Sequence, residues 1–199
     1  MPPVTRALII ANVAVFLLQT NGFSLLESFA LWPPASGDLA SPAFAPWQLV
    51  TYSFLHGGFS HILFNMFGLY MFGSEVERLF GSRFFLTYYI ASVIAAGITH
   101  LVITSLLGGP AIPVVGASGG IYGLLLAFGV YFPHRTVVLL IPPIPMKART
   151  FVVVFAVLEL FFGVTGTASG VAHFAHLGGM LGGWLMILYR RRSGLSRRQ

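Results

Sequence analysis

The chain has 199 residues, of which 56% are hydrophobic and only 8% are charged. A soluble domain carries about a quarter of its residues charged, so this composition excludes a soluble protein and indicates an integral membrane protein. Cysteine is absent, which excludes disulfides and thiolate chemistry, and the net charge of +6 comes from basic residues beside apolar segments, which favours fixed membrane topology over nucleic-acid binding.

Six apolar segments of roughly membrane-spanning length follow one another along the chain. Their approximate ranges are 4–20, 59–73, 84–107, 117–132, 150–164 and 171–189. Several are shorter than the about 20 residues that span a bilayer, which membrane thinning or shielding within a bundle can accommodate. The pattern predicts an all-α, polytopic membrane protein with six transmembrane helices and a single domain over residues 1–199.

The basic residues predict the orientation of these segments. They follow the second, fourth and sixth segments: Arg78 and Arg83, then Arg135, Lys147 and Arg149, and finally the tail 190–199. The other three connections contain no Lys or Arg. The positive-inside rule therefore predicts a multi-pass protein of an inner or plasma membrane, with both termini cytoplasmic and a long first loop outside. The N-terminus lacks the basic region and cleavage site of a signal peptide, so we expect it to be retained.

Polar residues of three segments meet at one depth in this topology. The second, fourth and sixth segments all enter from outside, which places Ser118, in "GASGGIYG", near the outer end of the fourth. His61 and Asn65 share one face of the second segment, and His173 and His176 lie in the first turns of the sixth. Intramembrane ionisable residues are costly, so such a cluster predicts a functional site.

Small residues recur every four positions on two of these segments, which favours close helix packing in lipid. The stripes are Ala175, Gly179 and Gly183 on the sixth segment and Gly119 and Gly123 on the fourth. We expect the two segments to touch, bringing Ser118 within reach of a histidine. Gly178, on a different face, is expected to tolerate a side chain more readily.

Each polar residue also has a simpler interpretation. A serine in a membrane helix usually bonds to a backbone carbonyl or aids packing, and a histidine near a helix end is often interfacial. For Glu159, a neutral or hydrogen-bonded group turned toward the bundle or the outer interface is favoured over a proton relay. His56 and His61 paired with His173 and His176 would be a metal site, but HExxH is absent, so neither a metal nor a cofactor is predicted.

Motifs on three segments together resemble the rhomboid family of intramembrane serine proteases. They are "GASGG" at 116–120, "AHLGGMLGG" at 175–183 and "HILFN" at 61–65, with "EVERLFG" at 75–81 after the second segment. The resemblance covers nearly the whole chain, and it implies a rhomboid-like bundle of six helices with a long first outer loop.

The resemblance implies that Ser118 is the nucleophile and His176 its general base, while His173 falls outside the family pattern. Tyr122 matches an aromatic position that packs on the catalytic histidine. A serine hydroxyl needs a base to take its proton, and histidine suits that task near neutral pH. The sequence places no acidic residue as a third member, so the prediction is a Ser–His dyad with the histidine oriented by Tyr122.

The same resemblance assigns His61 and Asn65 to stabilisation of the oxyanion, together with backbone near Gly116. Their spacing on one helix face suits that role. The chain departs from the family at Trp47 and Gln48, where many members have Trp-Arg, which puts the usual role of that arginine in doubt.

The predicted function is therefore an intramembrane serine endopeptidase without a cofactor, whose site opens to the outer aqueous side. By resemblance, its partners are the lipid bilayer and single-span membrane proteins cut within or near their transmembrane segment, where the helix must unwind to expose its carbonyls. A non-catalytic membrane binding or chaperone-like protein on the same fold is the first alternative, and a small transporter or channel is the second.

Overall fold

A computed structural model describes residues 1–33, 42–107, 112–139, 142–166 and 172–194. Helices dominate these residues, and their bounds in chain order are α1 (Pro3–Thr20), α2 (Leu26–Phe29), α3 (Gln48–Thr51), α4 (Phe59–Gly68), α5 (Ser74–Phe80), α6 (Ser82–Leu107), α7 (Ser118–Tyr131), α8 (Ala148–Thr165) and α9 (His173–Arg192). A 3₁₀ turn (Tyr52–Phe54) follows α3, and a π-helical segment (Leu69–Gly73) joins α4 to α5.

Three helices, α1, α6 and α8, are long and apolar enough to cross a membrane, and α7 is a shorter apolar helix. The chain is therefore a helical integral membrane protein. Five of the six apolar segments found in the sequence contain a helix whose bounds lie within a few residues of the predicted ones. The exception is the second, where α4, the π-helical segment and α5 form one continuous helix to Phe80. That helix ends at Gly81, whose φ of +75° favours glycine.

The last helix is longer than predicted. Helix α9 continues through Arg192, so residues 190–192 do not belong to a tail; residues 195–199 of the predicted tail lie outside the described residues. Arg190 is buried, with its guanidinium 4.5 Å from the ring centre of Phe80 and 5.2 Å from that of Phe84. This basic side chain stabilises packing in addition to marking topology.

The connection between α7 and α8 contains a small antiparallel hairpin of β1 (Thr136–Val138) and β2 (Pro145–Lys147). Beside it, Arg135 forms a 2.5 Å ion pair with Glu75 at the start of α5, and Arg78 contacts the same carboxylate. The ends of α5 and α7 are thereby joined on the side that the sequence predicts to be cytoplasmic.

Helix α9 packs most extensively against α6 and α7. A methyl group built on Gly179 would lie 1.9 Å from the carbonyl oxygen of Gly119, and one on Gly123 would lie 3.1 Å from the carbonyl oxygen of Gly179. The predicted contact of the fourth and sixth segments is confirmed. Gly178 is also enclosed, because a methyl group there would lie 2.4 Å from Oγ1 of Thr99 in α6, so α9 is covered on two faces. That Gly178 tolerates a side chain more readily than Gly179 stays a prediction.

The described part of the first loop folds against the rest of the chain. Leu31 pairs through its backbone with Val114, just before α7. Gln48 is buried, and its side chain accepts a hydrogen bond from the backbone N–H of Trp32 at 3.2 Å and donates to the carbonyl of Ala43 at 3.4 Å. Gln48, which stands where many family members have arginine, therefore holds two segments of the first loop together through hydrogen bonds.

Glu77 of α5 holds the N-terminus of α1. Its carboxylate is buried and accepts hydrogen bonds from the backbone N–H groups of Val4 (3.0 Å) and Thr5 (2.7 Å) and from the hydroxyls of Thr5 and Ser82 (both 2.7 Å). Two of these donors are backbone N–H groups in the first turn of α1, and such groups lack partners within the helix. Burial alone would raise the pKa of Glu77, but these hydrogen bonds outweigh it and hold the pKa below its usual value.

We expect Glu77→Gln to lower the free energy of unfolding in detergent by roughly 2–3 kcal/mol at pH 7, because hydrogen bonds to a charged acceptor are lost. Since the folded pKa is depressed, this stabilisation is present above the ordinary glutamate pKa of about 4.3 and is lost as the pH falls through the lower folded value. Thermal unfolding of the wild type and of Glu77→Gln at pH 7, and again at a pH below the folded pKa of Glu77, measures both effects. Glu75→Gln, at a more exposed ion pair, is the control and should change stability by about 1 kcal/mol or less; equal losses would contradict the anchoring role.

Candidate active site

Ser118 lies at the start of α7, after a turn fixed by the first loop. Gly116 has a φ of +122°, a conformation that side chains rarely adopt, and its N–H donates to the carbonyl of Tyr52 at 2.9 Å. The hydroxyl of Tyr52 in turn donates to the carbonyl of Val93 in α6 at 2.8 Å. The loop, α6 and the serine turn are thus joined, and Ser118 stays half-buried.

Ser118 and His176 meet across the contact of α7 and α9. The Ser118 Oγ lies 2.8 Å from Nε2 of His176, which is buried. The ring of Tyr122, one turn after the serine on α7, stacks on the His176 ring with centres 4.2 Å apart and planes 4° apart. The three side chains that the sequence assigned to nucleophile, base and packing partner therefore lie together, with the hydroxyl aimed at a ring nitrogen.

Glu159 of α8 joins the same cluster: the sequence favoured a hydrogen-bonded group turned toward the bundle, and the structure agrees, but the sequence did not place it beside His176. It is buried, and its Oε1 lies 3.0 Å from Nδ1 of His176, at ion-pair distance although without the alignment of a hydrogen bond. Oε1 also accepts a hydrogen bond from the Tyr122 hydroxyl, and Oε2 lies 2.6 Å from Nδ1 of His173. The sequence does carry a signal for this contact: Glu159 is an acidic residue inside an apolar helix, and such residues usually pair with another polar group or face a cavity.

His61 and Asn65 approach the serine turn from α4. A methyl group built on Gly116 would lie 2.7 Å from Nε2 of His61 and 3.8 Å from Nδ2 of Asn65. The Asn65 amide donates to the carbonyl of His61 at 2.9 Å within the helix. The structure therefore brings these two predicted residues against the backbone of Gly116, two positions before Ser118.

His56 packs edge-on against His61, with ring centres 5.1 Å apart. It precedes α4 and is buried. Burial, with the neighbouring His61 ring adding to it, lowers the pKa of His56 to about 4. His56 is therefore neutral near pH 7 and adds no charge beside His61.

The ligand atoms that would suit a metal ion belong to Glu159, His173 and His176, and they lie within 4.8 Å of one another. His56 and His61 are not in this group, so the four-histidine arrangement considered from the sequence does not form in the described part of the chain. The carboxylate oxygens of Glu159 already face both histidines and Tyr122, which makes the cluster a set of mutually partnered groups.

Fold and site together define a helical membrane protein with a serine hydroxyl hydrogen-bonded to a buried histidine. The family profile described as the Rhomboid domain matches residues 43–193. The chain therefore belongs to the rhomboid family.

Three relatives illustrate the range of similarity. The chain is 32% identical to "Rhomboid protease GluP" of Bacillus subtilis over 85% of its own length, and 30% identical to "Rhomboid protein 1, mitochondrial" of Saccharomyces cerevisiae over 76%. It is 26% identical to "Rhomboid protease GlpG" of Yersinia pestis over 96%. The chain spans 31%, 44% and 64% of the length of these relatives, in that order.

Proposed function

We propose that this protein is an intramembrane serine endopeptidase that cleaves membrane-protein substrates. The observation that carries the proposal is the 2.8 Å contact of Ser118 Oγ with His176 Nε2, backed by the stacked ring of Tyr122. Family membership and relatives named rhomboid proteases support it.

The proposed reaction has two halves. The Ser118 oxygen attacks the substrate carbonyl carbon as its proton passes to Nε2 of His176, and the protonated histidine then gives that proton to the leaving amine as the C–N bond breaks. Water, activated by the same histidine, hydrolyses the acyl-enzyme and restores Ser118. The carbonyl oxygen becomes an oxyanion in each half, and we assign its stabilisation to the side-chain N–H groups of His61 and Asn65 and to backbone near Gly116; the closeness of both side chains to Gly116 supports this assignment.

We further propose that residues 1–199 form one domain of six spans with both termini cytoplasmic, since basic residues lie on one side of the predicted bundle. The site then opens to the outer side of the inner or plasma membrane, where water is available for hydrolysis. Single-span proteins are the proposed substrates, because a lone helix can enter from lipid and unwind at the site.

The test is cleavage of a single-span reporter in liposomes by the wild-type chain and by Ser118→Ala, with labelling by a fluorophosphonate in parallel. We expect cleavage and labelling by the wild type and neither by the variant. Neither cleavage nor labelling by the wild type would favour the binding or chaperone-like alternative, because fluorophosphonates react with serines that a base has activated. Cleavage that persists in Ser118→Ala would refute the serine mechanism.

Asn65→Ala is expected to lower kcat by about 10- to 1000-fold, because one donor to the developing oxyanion is lost. The thermal unfolding temperature should change little, since the hydrogen bond from the Asn65 side-chain amide to the carbonyl of His61 lies within α4. Leu63→Ala, on the lipid-exposed face of the same helix, is the matched control and should keep wild-type kcat. If Asn65→Ala turned over as fast as Leu63→Ala, Asn65 would not be a donor to the oxyanion.

A further inference from the structure

Glu159 is a buried acidic residue, and the residues beside it in helix α8 are apolar. An ionised carboxylate at this depth is costly unless donors surround it. Its three neighbours are the hydroxyl of Tyr122, the Nδ1 of His173 and the Nδ1 of His176. Two of these neighbours belong to the proposed active site, so the carboxylate is partnered by the site itself.

We infer that Glu159 is a positioning residue for His176 and completes a Ser–His–Glu triad in place of the dyad that the sequence predicts. The inference rests on the proposed function. Ser118 can donate to Nε2 of His176 only when that nitrogen is unprotonated, so the proton of the neutral ring sits on Nδ1. Nδ1 faces Oε1 of Glu159 at 3.0 Å. A carboxylate there selects the tautomer in which His176 accepts the serine proton.

The same carboxylate serves the charged state of the reaction. When Nε2 takes the serine proton, His176 becomes an imidazolium in a site that is largely shielded from water. A buried cation without a partner is strongly disfavoured, whereas a carboxylate at 3.0 Å supplies the opposite charge. The N–H and Oε1 are misaligned in the resting arrangement, and contacts of this kind tighten when a reacting group is bound.

Two further contacts hold the carboxylate in place. His173 binds Oε2 at 2.6 Å, and the Tyr122 hydroxyl donates to Oε1 while its ring stacks on His176. Glu159 therefore acts on His176 directly and also through the tyrosine that covers the histidine ring. Helix α8 thereby contributes to a site otherwise built on α4, α7 and α9.

The experiment compares wild type, Glu159→Gln and Glu159→Asp as full chains in liposomes, with kcat and KM measured separately. Glutamine keeps the size and a carbonyl acceptor but removes the charge. We expect kcat to fall about 100-fold or more in Glu159→Gln with KM nearly unchanged, and Glu159→Asp to recover part of the loss. The expected loss is smaller than for removal of the base, because Tyr122 still orients the ring.

Fluorophosphonate labelling provides a readout that needs no substrate. The labelling rate of Ser118 should fall in Glu159→Gln in step with kcat. Glu77→Gln is the matched control, since it neutralises another buried carboxylate: it should lower the unfolding temperature and leave the rate per folded molecule unchanged. If Glu159→Gln kept wild-type labelling and turnover while activity still depended on Ser118, the inference about Glu159 would be overturned and the proposed function would stand. A wild type that cleaves no reporter would count against the proposed function, and the labelling rates would still decide the role of Glu159.

A metal-binding role for the same cluster is the competing outcome. If Glu159, His173 and His176 held an ion, EDTA would change the activity of the wild type and Zn²⁺ would reverse that change. We expect EDTA to leave the labelling rate of Ser118 unchanged. A chelator-sensitive rate restored by Zn²⁺ would assign Glu159 to a metal site and contradict the triad.

Discussion

Alanine in place of Ser118 or His176 is expected to abolish cleavage, with kcat falling by about 10⁴-fold or more. The hydroxyl and the ring nitrogen lie 2.8 Å apart, and in the proposed mechanism they share one proton transfer, so each is of little use without the other. The double variant should therefore be no worse than either single variant. The result would be measured as turnover of a single-span reporter in liposomes.

The control for this prediction is His173→Ala, one turn earlier on the same helix. Its Nδ1 contacts Glu159 and not Ser118, so its loss removes one support of the carboxylate and should be far milder than loss of His176. All the variants should remain folded and membrane-inserted. Losses that multiply in the double variant, or equal loss in His173→Ala, would show that the base has been misassigned.

The helices were predictable because their apolar runs match the span of a bilayer. The continuation of α4 through the π-helical segment into α5 was not, because the charges of Glu75, Glu77 and Arg78 resemble a connecting loop in the sequence. In the structure each carboxylate has partners: Glu75 pairs with arginines, and Glu77 caps α1. The short strands of the hairpin were missed because runs of three residues carry little periodicity.

The site was partly predictable for a related reason. Ser118, His176, Tyr122 and Asn65 lie in short motifs whose helix and depth follow from the order of the segments. Glu159 lies in no such motif. Its contacts with His173 and His176 depend on how α8 packs against α9, and helical periodicity within one segment does not predict the packing between two helices. The same limit applies to Gly178: the sequence placed it on a different face from Gly179 but did not show that this face packs against α6.

At Gly179 the backbone of α9 packs directly against the backbone of α7, and Gly179→Leu is expected to lower both activity and stability. Even a methyl group would lie 1.9 Å from the carbonyl oxygen of Gly119, so the backbones must separate. In lipid, such packing is a main source of helix association. His176 lies one turn earlier on α9, and a displacement of about 1 Å from Ser118 can cost about 100-fold in rate.

We therefore expect Gly179→Leu to lose about 100-fold or more in kcat and to unfold at a lower temperature in detergent, with Gly179→Ala intermediate. Leu185→Ala, on the exposed face of the same helix, should match the wild type in both measurements. The two readouts separate the causes, because a folded fraction measured at the assay temperature corrects kcat for lost protein. If corrected kcat returned to the wild-type value, the glycine contact would serve stability alone. An active and stable Gly179→Leu would refute the close approach on which the position of His176 depends.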